Sequence, residues 1–215
     1  MSAVAPLPGS HPHYWVQASE ALAAADPVIA EVIREWRGHG QLSSRGDPFT
    51  TLARSIVGQQ ISVKAAQAVW LRLEKAAGTV TPLRLSRMRL ATLARAGLSA
   101  RKAEYVRDLA GHFVRGTVDP AHWPALDDEA VIGELVQVRG IGRWTAEMFL
   151  IFNLLRPDVF PLDDLGLLKA ISLRCAAGRP VTRSDAIAIG ERWRPWRTVA
   201  TWYLWRSLDP LPVEY

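Results

Sequence analysis

Helix-opening signals recur along this chain, and they constrain its fold more than any other feature. Asp26-Pro27, Asp47-Pro48 and Thr81-Pro82 each place a capping side chain before a proline at the first helical position. Ser62, Ser86, Ser99 and Asp127 supply further openings, and Gly38, Gly78 and Gly178 supply stops. Between these marks the apolar residues return at helical spacing. Ala65, Ala66, Val69, Leu73 and Ala76 do so in one segment, and Ala103, Val106, Leu109, Ala110 and Phe113 in another. Residues 144–155 carry so few polar groups that a helix buried all round is expected there. No segment alternates as a half-buried strand must, and no repeat of ~20–50 residues marks a solenoid. The pattern predicts an all-α protein of about ten helices joined by short loops. Residues 1–16 read as a poorly ordered or extended arm, with His11 and His13 in a flexible tail rather than a metal site.

A chain of 215 residues buries a real core, as one large domain or two small ones. Its formal charge is +5 and its pI about 9.8. Of its 26 basic residues only Lys64, Lys75, Lys102 and Lys169 are lysines; the other 22 are arginines. That balance fits an acidic partner, a phosphate backbone first, although solvated arginine faces would give the same count. The single cysteine, Cys175, excludes an intrachain disulfide, a zinc site built on several cysteines and a four-cysteine iron–sulfur cluster. The N-terminal stretch lacks the charged start and apolar core of a secretory signal, and no uncharged apolar run approaches the ~20 residues of a membrane span. An intracellular protein with no membrane role is expected.

The stretch "LVQVRGIGRWTAEMFLIF", Leu135 to Phe152, interrupts the helical pattern sharply. Gly140 and Gly142 are free to take positive φ and to admit another backbone, while Ile141 plugs the turn against the core. The amides of Gly140, Gly142 and Arg143 then lie at the start of the next helix, where unpaired N–H groups and the helix dipole favour an anion. A DNA phosphate would be held there without its sequence being read. A plain helical hairpin closed by glycine accounts for the same residues. Downstream, Asp163-Asp164 opens a helix; one acid can cap while the other projects, and a pair of capping acids is the simpler reading.

Five blocks, in order, carry a resemblance. "LVQVRGIGRWTAEMFL" resembles the helix-hairpin-helix of the DNA glycosylase superfamily, and "DVFPLDDLGLLKA" resembles the Asp-bearing segment that follows it there. "FTTLARSIVGQQISVKAAQAVW" is similar to the family's first-domain helix pair. "LARAGLSARKAEYVRDLA" and "ERWRPWRTVATWYLW" resemble blocks of one branch, 3-methyladenine DNA glycosylase II. The resemblance spans residues 45–208 and implies two helical subdomains around a DNA-lesion cleft. Residues 1–45 are too few for the α/β domain that precedes them in some relatives, so a compact form is expected. The expected organisation is residues 1–45 packing on the C-terminal half, a helical subdomain over 46–126, and the hairpin and catalytic Asp over 127–215.

The resemblance aligns the catalytic carboxylate with Asp164, with Asp163 as the alternative one residue away. Cleavage of an N-glycosidic bond builds an oxocarbenium-like sugar, which a carboxylate stabilises while it orients water. Where members of the superfamily also nick DNA, a lysine stands at the position of Trp144 and forms a Schiff base. Trp144 in its place implies a monofunctional glycosylase that leaves an abasic site. Trp144 and Trp205 match aromatic pocket positions for cationic alkylated purines such as 3-methyladenine and 7-methylguanine, and Met148 falls where a further aromatic can stand. Core packing is the ordinary fate of a tryptophan, and Trp70, Trp193, Trp196 and Trp202 are assigned to it.

Gln60 matches the side chain inserted into the duplex when the base flips, a role more often apolar. Gln59 and Ser62 cap the helix or contact the DNA backbone. The hairpin resembles sites where sodium or potassium is held by main-chain carbonyls, here those of Val136, Val138 and Ile141. No cofactor is required in this reading. The implied protein is a monomer acting on double-stranded DNA with alkylated bases, in the cytoplasm with the nucleoid. The competing readings are a bifunctional glycosylase/lyase for oxidised bases and a non-catalytic helix-hairpin-helix DNA-binding module.

Overall fold

The structure is a computed structural model that describes residues 6–209. Twelve α-helices run through them: α1 (Trp15–Ala25), α2 (Pro27–Trp36), α3 (Pro48–Gly58), α4 (Val63–Ala77), α5 (Pro82–Arg87), α6 (Leu90–Arg95), α7 (Ala100–Arg115), α8 (Asp128–Leu135), α9 (Arg143–Phe152), α10 (Leu165–Cys175), α11 (Arg183–Gly190) and α12 (Arg197–Arg206). Among the described residues there is no strand, and no helix is long and apolar enough to cross a membrane. The all-α expectation holds.

The caps act as their sequence predicts. Asp26 accepts from Val28 N–H, Asp47 from Thr50, Thr81 from Arg84, Ser99 from Lys102 and Asp127 from Ala130. Each satisfies an orphan donor of the first turn. Ser86 does not open a helix. It lies inside α5, where its hydroxyl donates back to Leu83 C=O at 3.0 Å, and α6 begins after Arg89 without a side-chain cap. Two further expectations change. Residues 15–25 form α1, and the preceding segment is tied down by Gly9 N–H to Ser44 C=O (2.8 Å), Ser44 N–H to Ser10 C=O (2.9 Å) and Tyr14 Oη to Leu155 C=O (2.6 Å). His11 Nδ1 sits 2.8 Å from Leu42 C=O, so it is not in a loose tail; residues 1–5 lie outside the described residues. Trp196 is half-buried and stacks on Tyr14, whereas Trp70, Trp193 and Trp202 are core residues as expected.

The chain divides into two compact units. One is residues 45–149, joined by residues 6–8. Here α7 packs against α3, α5 and α6, and α4 against α3 and α6. Leu52 and Ile56 of α3, Leu73 of α4, Leu85 of α5, Leu93 of α6 and Val106 and Leu109 of α7 are all fully buried. Each such side chain contributes roughly 1.5–3 kcal/mol by leaving water.

The other unit is residues 9–44 with residues 150–209. In it α1 packs on α2 and α12, and α10 on α12. The N-terminal helices therefore pack on the C-terminal ones. A buried Asp26 ties this unit together, capping α2 while accepting the Trp193 indole N–H at 2.8 Å. Contact grouping places residues 127–149 with 45–126, so the division falls inside α9 rather than at Asp127. Within α9 the residues from Ala146 to Ile151 are buried.

Candidate functional site

In the 45–149 unit the α8–α9 hairpin is built by successive short-range bonds. Val138 N–H donates to Leu135 C=O and Ile141 N–H to Val138 C=O, both at 3.1 Å. Ile141 is buried as its plug role requires. Gly140 takes φ +87°, and a Cβ there would meet the Tyr105 ring at 2.1 Å, so only glycine fits. Gly142 differs from the expectation: it has no positive φ, and a Cβ there would meet nothing within 4 Å. It is exposed, and its carbonyl starts the α9 ladder by accepting from Ala146 N–H at 3.0 Å. The side chain of Arg143 is engaged by Glu129, with Nη1–Oε2 at 2.9 Å, and by Glu147, with Nε–Oε1 at 3.0 Å. The bond from Arg143 holds the Glu129 carboxyl below its usual range, and Glu129 in turn pushes the guanidinium further up. Two carboxylates thus compensate that charge, and what the hairpin offers an anion is the backbone at the start of α9.

The turn between α3 and α4 stands beside the hairpin in the same unit. Gln59 Nε2 donates to Gly140 C=O at 2.8 Å, so its amide is turned onto the hairpin. Gln60 is exposed at φ +58°, a left-handed conformation uncommon outside glycine. Ser62 caps α4 through Ala65 N–H at 3.3 Å.

A cavity of about 540 Å³ opens between these elements, lined among others by Gln59, Gln60, Trp70, Trp144 and Met148. Trp144 and Met148, expected together with Trp205 in a base pocket, both line this cavity. Trp70, assigned to the core, also reaches the cavity, where the Arg54 guanidinium lies 4.5 Å over its ring. Pockets that enclose a small flat ligand hold about 300–1,000 Å³, and aromatic faces with a polarisable thioether suit the ring of a base.

The second unit holds the two aspartates. Asp164 caps α10 and is nearly buried; its Oδ1 accepts from Leu167 N–H at 2.6 Å and from Trp205 Nε1 at 2.9 Å. Asp163 is exposed and pairs with Arg183. Of the two acids, the one that caps is therefore also the one that is fixed and enclosed. Trp205 stacks on Phe152 with ring centroids 5.8 Å apart and planes 11° from parallel. Gly166 leaves room for the carboxylate, since a Cβ there would stand 3.1 Å from Asp164 Oδ1. Among the described residues no cluster of three His, Cys, Asp or Glu side chains could hold a metal ion.

A model of the HhH-GPD superfamily of base excision DNA repair proteins matches residues 53–195, which takes in the hairpin, Asp164 and the α3–α4 turn. The chain belongs to that superfamily. It is 31% identical over 184 residues to DNA-3-methyladenine glycosylase 1 of Schizosaccharomyces pombe, covering 83% of this chain and 80% of that protein. Two solved structures are similar to it. One is a DNA-3-methyladenine glycosidase from Bacillus halodurans, with a TM-score of 0.76 and 33% identity over 86% of this chain and 90% of that one. The other is the S. pombe 3-methyladenine DNA glycosylase Mag1 in complex with abasic DNA, with a TM-score of 0.75 and 29% identity over 93% and 99% of the two chains.

For an HhH-GPD protein the site residues divide unevenly between what sequence reading found and what it missed. Gly140 and Ile141 shape the hairpin, Trp144 and Met148 line the cavity, and Asp164 caps α10. Trp205, expected on a pocket wall, reaches Asp164 through its indole N–H. Arg54, Phe152 and Gly166 were not singled out. Gly166 carried a usable signal, a glycine two residues after a helix-capping aspartate; Arg54 and Phe152 carried none.

Proposed function

We propose that this HhH-GPD protein is a monofunctional DNA glycosylase that hydrolyses the N-glycosidic bond of alkylated purines, 3-methyladenine and 7-methylguanine, in double-stranded DNA. The observation that carries the reading is Asp164, nearly buried at the start of α10 and fixed by two donors on one oxygen. It stands in a chain whose hairpin has Trp144 where a lyase needs an amine, with no lysine between Lys102 and Lys169. The relatives named for 3-methyladenine and the complex with abasic DNA support the substrate and the product.

The chemistry follows from these groups. The lesion leaves the stack and enters an aromatic site, where Trp144 and Met148 suit a cationic ring. The C1′–N bond breaks, and its electron pair goes to the base, which departs neutral. The Asp164 carboxylate stabilises the positive sugar and orients water, whose oxygen bonds to C1′ and whose proton passes to the carboxylate or solvent. Without an amine no Schiff base forms, and the strand stays intact.

The main-chain carbonyls of Val136, Val138 and Ile141 would hold a sodium or potassium ion. Three neutral oxygen donors with no carboxylate suit an alkali cation, and Val138 C=O retains a lone pair beside its bond from Ile141 N–H. When bound, the ion would supply positive charge at the hairpin that favours a phosphate. The protein acts as a monomer on chromosomal DNA inside the cell.

The test is base release from methylated duplex DNA by the wild type and Asp164→Asn, with abasic sites revealed by heat and alkali. Asparagine still caps a helix, so the fold is retained. The wild type releases methylated purine without nicking, and the variant is slower by about 100-fold or more. Nicking without heat or alkali would remove the monofunctional reading, and equal rates would remove Asp164 from the chemistry.

A further inference from the structure

Lys102 stands in the first turn of α7, three residues after the Ser99 cap. Its ammonium donates to Val57 C=O, in the last turn of α3, at 2.8 Å and to the C=O of Gln59, its C-cap, at 2.7 Å. A cation there satisfies orphan acceptors at the negative end of the helix dipole. One turn along α7, Tyr105 packs so closely on Gly140 that no Cβ fits. A turn further, Asp108 Oδ2 accepts the Arg139 N–H at 2.9 Å. Residues 102, 105 and 108 thus line one side of α7 and hold two loops at once, the α3–α4 turn and the α8–α9 hairpin. Gln59 closes the circuit, because its amide bonds Gly140 C=O while its own carbonyl takes Lys102.

The next residue is Gln60, exposed at φ +58°. Such backbone is strained outside glycine and persists only where its surroundings over-determine it. The lysine and the Gln59 bond are those surroundings. Burial lowers the Lys102 pKa, a cost that the ammonium meets with two carbonyl acceptors.

We propose that Lys102 is a positioning residue for base extrusion: from α7 it fixes the turn that carries Gln60 relative to the Gly140–Gly142 hairpin, so that both loops engage the duplex together. The proposal rests on the glycosylase reading above and assigns Lys102 no part in bond cleavage. Loss of the lysine slows the step that removes the base from the stack and spares the step that breaks the bond.

The experiment is single-turnover release of 7-methylguanine from two duplexes of one sequence, with the lesion opposite cytosine or opposite a tetrahydrofuran abasic analogue. The unpaired lesion costs less to flip. Lys102→Met slows release from the paired duplex by about 10- to 100-fold and from the unpaired one by less than about threefold, as expected for a misplacement on the order of 1 Å. Lys102→Arg, which keeps the charge and the donors, recovers most of the loss. The ratio of the two rates is read on one preparation, so a smaller folded fraction cancels; Lys102→Gln serves if the methionine variant does not fold. Equal slowing on both duplexes, or none, overturns the proposal while leaving the glycosylase reading in place. A wild type that releases base from neither duplex overturns both.

Discussion

At Asp164 the position of the carboxylate rests on a partner 41 residues away, the Trp205 indole N–H on Oδ1. Trp205→Phe removes that donor and keeps a ring to stack on Phe152. A hydrogen bond to a charged group is worth about 1.5–3 kcal/mol, so kcat for base release is expected to fall by roughly 10- to 100-fold. KM for DNA changes little, and steady-state kinetics on methylated duplex separate the two. A fall in the kcat of the Trp205→Phe variant no larger than the assay error would mean that the bond does not orient the carboxylate during the reaction. How much of this residue was legible differs from atom to atom. The cap role of an aspartate before "LGLLKA" follows from local rules, because capping is made within three residues. Which of two adjacent acids becomes fixed does not follow from them. Arg183 draws Asp163 outward, and Trp205 holds Asp164; both partners lie far along the chain.

The hairpin shows the same division at the scale of an element. Its two glycines look alike in sequence, yet the structure uses them for different ends. Gly140 needs both its left-handed φ and its missing Cβ, because Tyr105 of α7 lies against it. Gly142 needs neither for the fold. Gly140→Ala is therefore expected to lower stability by about 1–3 kcal/mol, from backbone strain and overpacking together, with a matching drop in Tm. Gly142→Ala leaves Tm nearly unchanged but weakens binding to duplex DNA, because a methyl group then stands on the exposed approach to the first amides of α9. Thermal melting and DNA titration of both variants test the contrast, and the reverse pattern would show that the phosphate does not approach there. Helix limits around the hairpin were readable because capping and periodicity are local. The tie from α7 was not, since periodicity shows that Tyr105 belongs to a helix but not which loop that helix meets.

Across the whole molecule, sequence order and tertiary grouping part company. Capping and periodicity are settled within a few residues, and the all-α class was legible for that reason. The grouping of residues 9–44 with residues 150–209 depends on contacts such as Asp26 with Trp193, 167 residues apart, which no local pattern encodes. Charge is likewise distributed in pairs that the net value of +5 conceals. His122 is one such pair with a readable pH signature. Its Nε2 lies 2.6 Å from Glu134 Oε1, and Glu134 also accepts the Trp123 indole N–H at 2.8 Å. The bond to Glu134 first, then the charge of Glu134 and the Asp119 carboxylate, raise the imidazole above its ordinary pKa of 6.5. A base whose folded pKa is raised stabilises the fold fully below its unfolded pKa, and that contribution is lost as pH rises through the folded value. His122→Gln, which keeps a donor but not the charge, should therefore lower Tm relative to the wild type most near pH 5 to 6, and the difference should shrink as the pH climbs past the raised value. The imidazole is half exposed, so screening limits the effect; an exposed pair of under about 1 kcal/mol corresponds to less than about 4 °C in a chain of this size. Parallel melts of the two proteins across pH 5 to 9 decide it: a difference that grows toward alkaline pH would show that the charged imidazole opposes the fold and does not support it.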